Sequence, residues 1–115
     1  MSNRHISNMR IVFYSHNHGR MLEFEYDEAK SRSNEAKHGL GFEEAQELWA
    51  DEHLVTMRVE RKGEKRSMAI ARYAGSYWSA IYVDRNAKVR LISVRRSTKV
   101  ERRLYDKAYQ SKWHS

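Results

Sequence analysis

Arg95 and Arg96 stand side by side at the end of an alternating apolar run, and Arg102 and Tyr105 follow, three residues apart. A guanidinium is planar and permanently charged, so it can grip a phosphate through two parallel hydrogen bonds. Arg95 alternates with Ser93 and Leu91 and is expected to end the last strand, with Arg96 on the opposite face. One arginine then reaches a ligand while the other braces a helix or a partner. Arg102 and Tyr105 share one face of a helix, where guanidinium and phenol can hold a phosphate and stack a base. Ordinary amphipathic surface, with the tyrosine sealing the core edge, is the competing reading. Glu101 invites the role of general base, but Thr98-x-x-Glu101 is also a capping box, which would consume the carboxylate in starting the helix; the spacing favours capping. His38 carries an imidazole, a side chain suited to acid or base work, although a histidine just before Gly39 also serves a helix end. Lys37 beside it either meets phosphate or solvates the same helix end. Arg72 lies among Met68 and Ile70 on one strand face, where an unpaired charge is costly. It needs either a buried pair with an acid of the first helix or a substrate phosphate.

Those residues belong to a chain of 115 residues, enough for one compact domain and one site. The formal charge is +7, which favours polyanions or acidic partners. The charge is unevenly spread: residues 21–52 carry ten acids and three bases, a net of −7, while residues 85–115 carry ten bases and two acids, a net of +8. Either the two halves neutralise each other inside the monomer, or the basic half, with its interleaved Arg and Tyr, meets nucleic acid. Cysteine is absent, which excludes disulfides and thiolate metal sites and suits a reducing cytoplasm. No apolar run approaches the roughly 18 to 20 residues of a membrane span, so the cytosol is the expected location. Adhesion of the last helix to anionic membranes is disfavoured, because Asp and Glu alternate with Arg on its polar side. No metal or other cofactor is expected; His16 and His18 form a pair that is more often incidental than a ligand set.

Positioning these side chains takes a small α+β framework. Residues 1–20 have no clear amphipathic period and contain no acid, so they are expected to be a mobile leader, an upstream extension or an expression remnant, with Met21 as the biological start. Residues 22–26 alternate like a short strand, and Asp27 can cap a helix that runs to His38 and stops at Gly39. A second helix carries Phe42, Ala45, Leu48 and Trp49 on one stripe and Glu43, Glu44 and Glu47 in water. The period then changes from 3.6 to 2 at Val55, Met57 and Val59. Three more strands, 66–73, 77–83 and 88–94, follow across connections short enough to force antiparallel hairpins. A last helix over 98–110 is expected to dock Val100, Leu104 and Ala108 on the core. The expected fold is therefore two N-terminal helices, a four-stranded antiparallel sheet with a possible extra N-terminal strand, and a closing helix, all in a single domain from residue 21 to 115.

Three stretches, in this order, resemble the BrnT toxin family. They are Phe24-Glu25-Tyr26-Asp27-Glu28-Ala29-Lys30, then Asn34-Glu35-Ala36-Lys37-His38-Gly39-Leu40-Gly41-Phe42-Glu43-Glu44-Ala45, and last Leu91-Ile92-Ser93-Val94-Arg95-Arg96-Ser97-Thr98-Lys99-Val100-Glu101-Arg102-Arg103-Leu104-Tyr105. Tyr26 stands where tryptophan is commoner, Ser97 where alanine is usual, and the first twenty residues have no family counterpart. The resemblance implies a RelE-like fold, a ribonuclease that slows translation, and a BrnA-type antitoxin encoded beside it. The toxin and antitoxin would form a hetero-oligomer that binds operator DNA through the antitoxin.

For a ribonuclease of this kind, metal-free cleavage requires that the neighbouring 2′-hydroxyl lose a proton, the phosphate gain negative charge and the 5′-oxygen leave protonated. Fixed cations near the phosphate carry most of that burden. Arg95, which the resemblance favours, is the first choice, with Glu101, Arg102, Tyr105 and His38 as further catalytic candidates. Lys37, Arg72, Arg96 and Arg103 are the expected RNA contacts. A module of another class, binding RNA or protein through the same basic face without catalysis, would leave RNA intact and bind with strong salt dependence.

Overall fold

Local signals start and stop the first helix as the sequence suggests. In a computed structural model describing residues 8–13, 21–61, 63–85 and 88–114, Asp27 Oδ1 accepts the amides of Ala29 and Lys30 at 2.8 and 3.2 Å, opening α1 (Glu28–His38). Gly39 closes it with φ 89°, a left-handed conformation that glycine adopts without strain. The next helical stretch is α2 (Phe42–Ala45), continued by a 3₁₀ turn, Gln46–Ala50. Phe42, Ala45, Leu48 and Trp49 are all buried, and the three-residue step from Ala45 to Leu48 suits the tighter winding.

The sheet holds β1 (Asn8–Phe13), β2 (Met21–Tyr26), β3 (Val55–Arg61), β4 (Glu64–Tyr73), β5 (Ser76–Arg85) and β6 (Lys88–Arg96), in the order β1-β2-β6-β5-β4-β3. Strands β3 to β6 form the expected antiparallel meander. Two features depart from the expectation. The sheet is mixed, because β2 pairs parallel to β6 from Glu23↔Lys88 to Glu25↔Arg90, and it has six strands, because residues 8–13 of the stretch read as a leader pair with β2. A parallel pair needs a long crossover, which the helices and meander supply. Beyond Arg90 no β2 partner remains for β6, and the Asn34 side chain takes over. Its Nδ2 donates to the Val94 carbonyl at 2.7 Å and its Oδ1 accepts the Val94 amide at 3.2 Å. A buried backbone pair is satisfied by one side chain in place of a strand.

A bulge decides which face each residue of β6 takes. Ser93 lies opposite Ile81 but Leu91 lies opposite Tyr82, leaving Ile92 as the extra residue. Leu91 and Val94 therefore share one face, and Ser93 and Arg95 the other. The expectation that Arg95 shares a face with Leu91 fails for this reason, although Arg95 and Arg96 do point to opposite faces.

Helices cover both faces of the sheet. On one, α1, α2 and the 3₁₀ turn bury Phe24, Phe42, Leu48, Trp49, Tyr82 and their neighbours, with edge-to-face ring pairs Phe24–Trp49 and Trp49–Tyr82 both at 5.2 Å. On the other, α3 (Lys99–His114) meets Met68 and Ile70 through Tyr105. The docking side of α3 is not the one its apolar period suggested. Val100 is 60% exposed and Leu104 39%, and Ala108 is exposed too, while Glu101 and Tyr105 are buried at 8% and 4%. Polar anchors set this rotation. Glu101 is tied to two strands and Tyr105 to Asp51, and those bonds outweigh the burial of a valine and a leucine.

The β4–β5 turn has two residues with positive φ, Ala74 at 52° and Gly75 at 80°. Such a turn prefers Asn-Gly, because asparagine tolerates the left-handed region, whereas alanine there is strained by about 1 kcal/mol or more. Ala74→Asn is expected to raise stability by about 1 kcal/mol in urea unfolding. A lower midpoint for the variant would show that this turn does not hold the conformation described.

Candidate functional site

The start of α3 is a capping box joined to an ion pair. The Thr98 amide donates to Glu101 Oε1 at 2.9 Å, and the Glu101 amide donates to Thr98 Oγ1 at 3.2 Å. The same carboxylate receives Arg95 NH1 on Oε1 at 2.8 Å and Arg95 NH2 on Oε2 at 2.9 Å, and the Ser79 hydroxyl donates to Oε1 at 2.8 Å. Ser79 and Ser97 share a further hydroxyl contact at 2.7 Å. The Arg95 guanidinium, helped by the Thr98 amide and the Ser79 hydroxyl, holds the Glu101 carboxyl down at about 2, against burial, which works the other way. Glu101 is thus a poor proton acceptor near neutrality. Arg95, in turn, has its charge matched by Glu101 and another N–H donated to the Arg96 carbonyl at 3.2 Å. The two residues clamp helix to sheet.

One turn further along, Tyr105 donates its hydroxyl to Asp51 Oδ2 at 2.7 Å, and the Arg72 backbone amide donates to the same oxygen at 2.9 Å. Burial, then the hydrogen bond to Asp51, pushes the Tyr105 phenol far above its ordinary range. Its ring meets Tyr77 edge to face at 5.6 Å. A ring so placed seals the core edge and cannot stack an incoming base, the competing reading given for it above.

The exposed chemistry lies one strand over. The register pairs Arg72 with Tyr77 across the two-residue turn, and the Arg72 guanidinium lies 4.9 Å from the Tyr77 ring centroid. From α3, the Arg102 guanidinium reaches the same ring at 5.9 Å. Both arginines are exposed, and neither has an acidic partner within ion-pair distance among the described residues. Tyr77 donates its hydroxyl to Asp106 at 2.8 Å, which raises its pKa and pins the ring. A cleft of about 290 Å³ opens beside it, lined by Tyr77, Lys99, Arg102, Arg103 and Asp106. The three cations of the cleft, with Arg72 on the same tyrosine ring and one acid between them, favour a phosphate.

The other candidates lie elsewhere. Arg72 does not make a buried pair with an acid of α1, because α1 covers the opposite face; its guanidinium stands on a ring in solvent. Arg96 lies over Trp78 at 5.3 Å, also on the opposite face. Lys37 and His38 occupy the exposed last turn of α1 and make no side-chain hydrogen bond or ion pair with the residues around Tyr77. His16 and His18 fall outside the described residues. A larger cleft, about 580 Å³, lies between the acidic helices and Tyr73, lined by Glu28, Glu35, Glu43, Glu44 and Glu47. Its charge repels a polyanion, so size does not decide the site. Sequence reasoning missed Tyr77 and Asp51. The short Ala74-Gly75 connection does contain the signal for Tyr77, since a two-residue turn sets Arg72 opposite it; Asp51 acts through nonlocal contacts that no pattern announces.

Among the described residues no helix is long and apolar enough to cross a membrane. Residues 26–101, about two thirds of the chain, match the family model described as ribonuclease toxin, BrnT, of type II toxin–antitoxin system. No curated protein matches the chain. The matched span takes in Arg72, Tyr77, Arg95 and Glu101, and ends in the first turn of α3.

Proposed function

Because the chain belongs to the BrnT family of ribonuclease toxins of type II toxin–antitoxin systems, we propose that it is a metal-independent endoribonuclease whose substrate phosphate sits between Arg72 and Arg102. Its cleavage of RNA slows translation in the cytoplasm. A BrnA-type antitoxin neutralises it, in a hetero-oligomer that binds operator DNA through the antitoxin.

The observation that carries this reading is the pair of guanidiniums, free of acidic partners among the described residues, held on one tyrosine ring. Cation–π contacts at exposed sites contribute about 0.5 to 1 kcal/mol each, enough to preorganise the two groups before RNA arrives. Attack of a 2′-oxygen on the adjacent phosphorus forms one P–O bond and breaks the bond to the 5′-oxygen, leaving a 2′,3′-cyclic phosphate. The added negative charge on the phosphoryl oxygens falls between Arg72 and Arg102, with Lys99 and Arg103 beside them. Glu101 and Tyr105 are engaged in other bonds, so water carries the proton from the 2′-oxygen and delivers one to the 5′-oxygen. Arg95 and Glu101 act as positioning residues, fixing the helix end from which Arg102 projects.

The occupation of Glu101 and Tyr105 also favours a second reading, a module that binds RNA at the same place without cutting it. Incubating the purified protein with cellular RNA in EDTA separates the two. Fragments ending in cyclic phosphate are expected from the nuclease. Intact RNA that binds with a steep salt dependence would establish the binding module instead.

A further inference from the structure

The rotation of α3 leaves an apolar corner uncovered. Glu101 and Tyr105 face the sheet, and Arg102 and Asp106 face Tyr77 at the beginning of β5. By helical periodicity Val100 and Leu104 line the opposite flank, above the part of the sheet that carries Ile81 further along β5. That floor also holds Met57 and Val59 of β3, all three only half-buried. At its far end lies a cleft of about 360 Å³ where Val83 and Ile92 stand beside Arg85 and Arg90, with Arg66 already paired to Glu64. Arg103 and Lys107 rim the helix side.

We propose that this corner of α3 and the open sheet face is the docking surface for an acidic, amphipathic segment of the antitoxin, its apolar side on Val100, Leu104 and Ile81 and its carboxylates on Arg90, Arg103 and Lys107. The existence of such a partner rests on the toxin reading above; the location and chemistry rest on the charge and exposure of this surface. A second copy of the chain placed about a twofold axis would bring the same cations and be repelled, and its acidic helices bury Phe42, Leu48 and Trp49 and so offer no large apolar side chain to the strip. Residues 1–7 contain Arg4 and no acid, so they complement the surface no better. RNA gains nothing from the apolar strip, which offers its phosphates no donor. A segment with hydrophobic and acidic sides satisfies both parts of the corner. It would engage Arg103, which also lines the cleft beside Tyr77, so docking would withdraw one cation from the RNA site.

Calorimetric titration of the purified full chain with the purified antitoxin encoded beside it tests this, using Val100→Asp and Leu104→Asp against Glu43→Lys and Glu47→Lys. Both α3 positions face solvent, so circular dichroism and RNA cleavage by the free variants should match wild type. The antitoxin is expected to bind the α3 variants about thirtyfold or more weakly, as for loss of an interface anchor, and the helix-face lysine variants normally. Unchanged affinity for the α3 variants would overturn the proposal, and lost affinity for the lysine variants alone would move the antitoxin to the acidic helices. Binding is read without RNA, so a wild-type chain that failed to cut RNA would count against the nuclease reading and leave this result standing.

Discussion

Arg102→Ala is expected to slow RNA cleavage about 100- to 1,000-fold while changing stability by less than about 0.5 kcal/mol. The rate effect follows from removing a preorganised donor at the phosphate where charge develops. The stability effect is small because the guanidinium is exposed and its described contact is with one face of Tyr77. Arg72→Ala should have a comparable effect, and the double variant should lose less than the product of the two, since both groups share one ring and, in the proposed site, one phosphate. Each variant should also lower the slope of log affinity against log salt by about 0.7, the loss of one phosphate contact on single-stranded RNA. Single-turnover cleavage of a defined RNA, with binding followed at several salt concentrations, reads both quantities. Wild-type rates in Arg102→Ala would remove the arginine pair from the site.

Glu101→Gln is expected to cost stability without a matching direct effect at the phosphate. The substitution breaks the doubly bonded pair with Arg95 and leaves a partly buried guanidinium uncompensated. Removing one partner of a buried pair costs about 3 to 5 kcal/mol, and the partial exposure of Arg95 reduces this to about 2 to 3 kcal/mol. The sign with pH follows from linkage. The folded carboxyl is depressed to about 2 from 4.5, so its contribution is complete above the ordinary value and fades as the pH falls toward 2. Urea unfolding at pH 7 should therefore separate wild type from Glu101→Gln clearly, and the gap should narrow steadily below pH 4.5. Equal stability at pH 7 would mean that the clamp contributes nothing. Arg95→Ala should lose stability similarly, and any fall in its cleavage rate should be smaller than that of Arg102→Ala.

These two residues illustrate what a sequence can disclose. Thr98-x-x-Glu101 announces a cap, because capping is local chemistry over four residues. That the same carboxylate holds Arg95 and Ser79 depends on a sheet register altered by one bulge residue, Ile92, and no spacing in the chain displays the bulge. The α1 boundaries, the buried stripe from Phe42 to Trp49 and the meander were legible for the same reason as the cap: each rests on neighbours in sequence. The rotation of α3 was not. Val100, Leu104 and Ala108 have the right period for a buried face, yet Glu101 and Tyr105 had partners in strands and a loop that won the orientation. Arg72 was recognised as a charge in need of a partner, but the partner is a ring across a hairpin, not an acid across the sheet.

The parallel seam between β2 and β6 bears on the time the chain takes to fold. Phe24 and Val89 are neighbours in the sheet although about 65 residues separate them. Hairpins such as β4–β5 close over two residues and form in about 1 to 10 μs. Joining the block containing β2 to the meander containing β6 closes a loop of that whole length, and its closure entropy must be met before the seam's contacts reward it. The slow step of folding is therefore expected to be the meeting of these two pieces along one short parallel ladder.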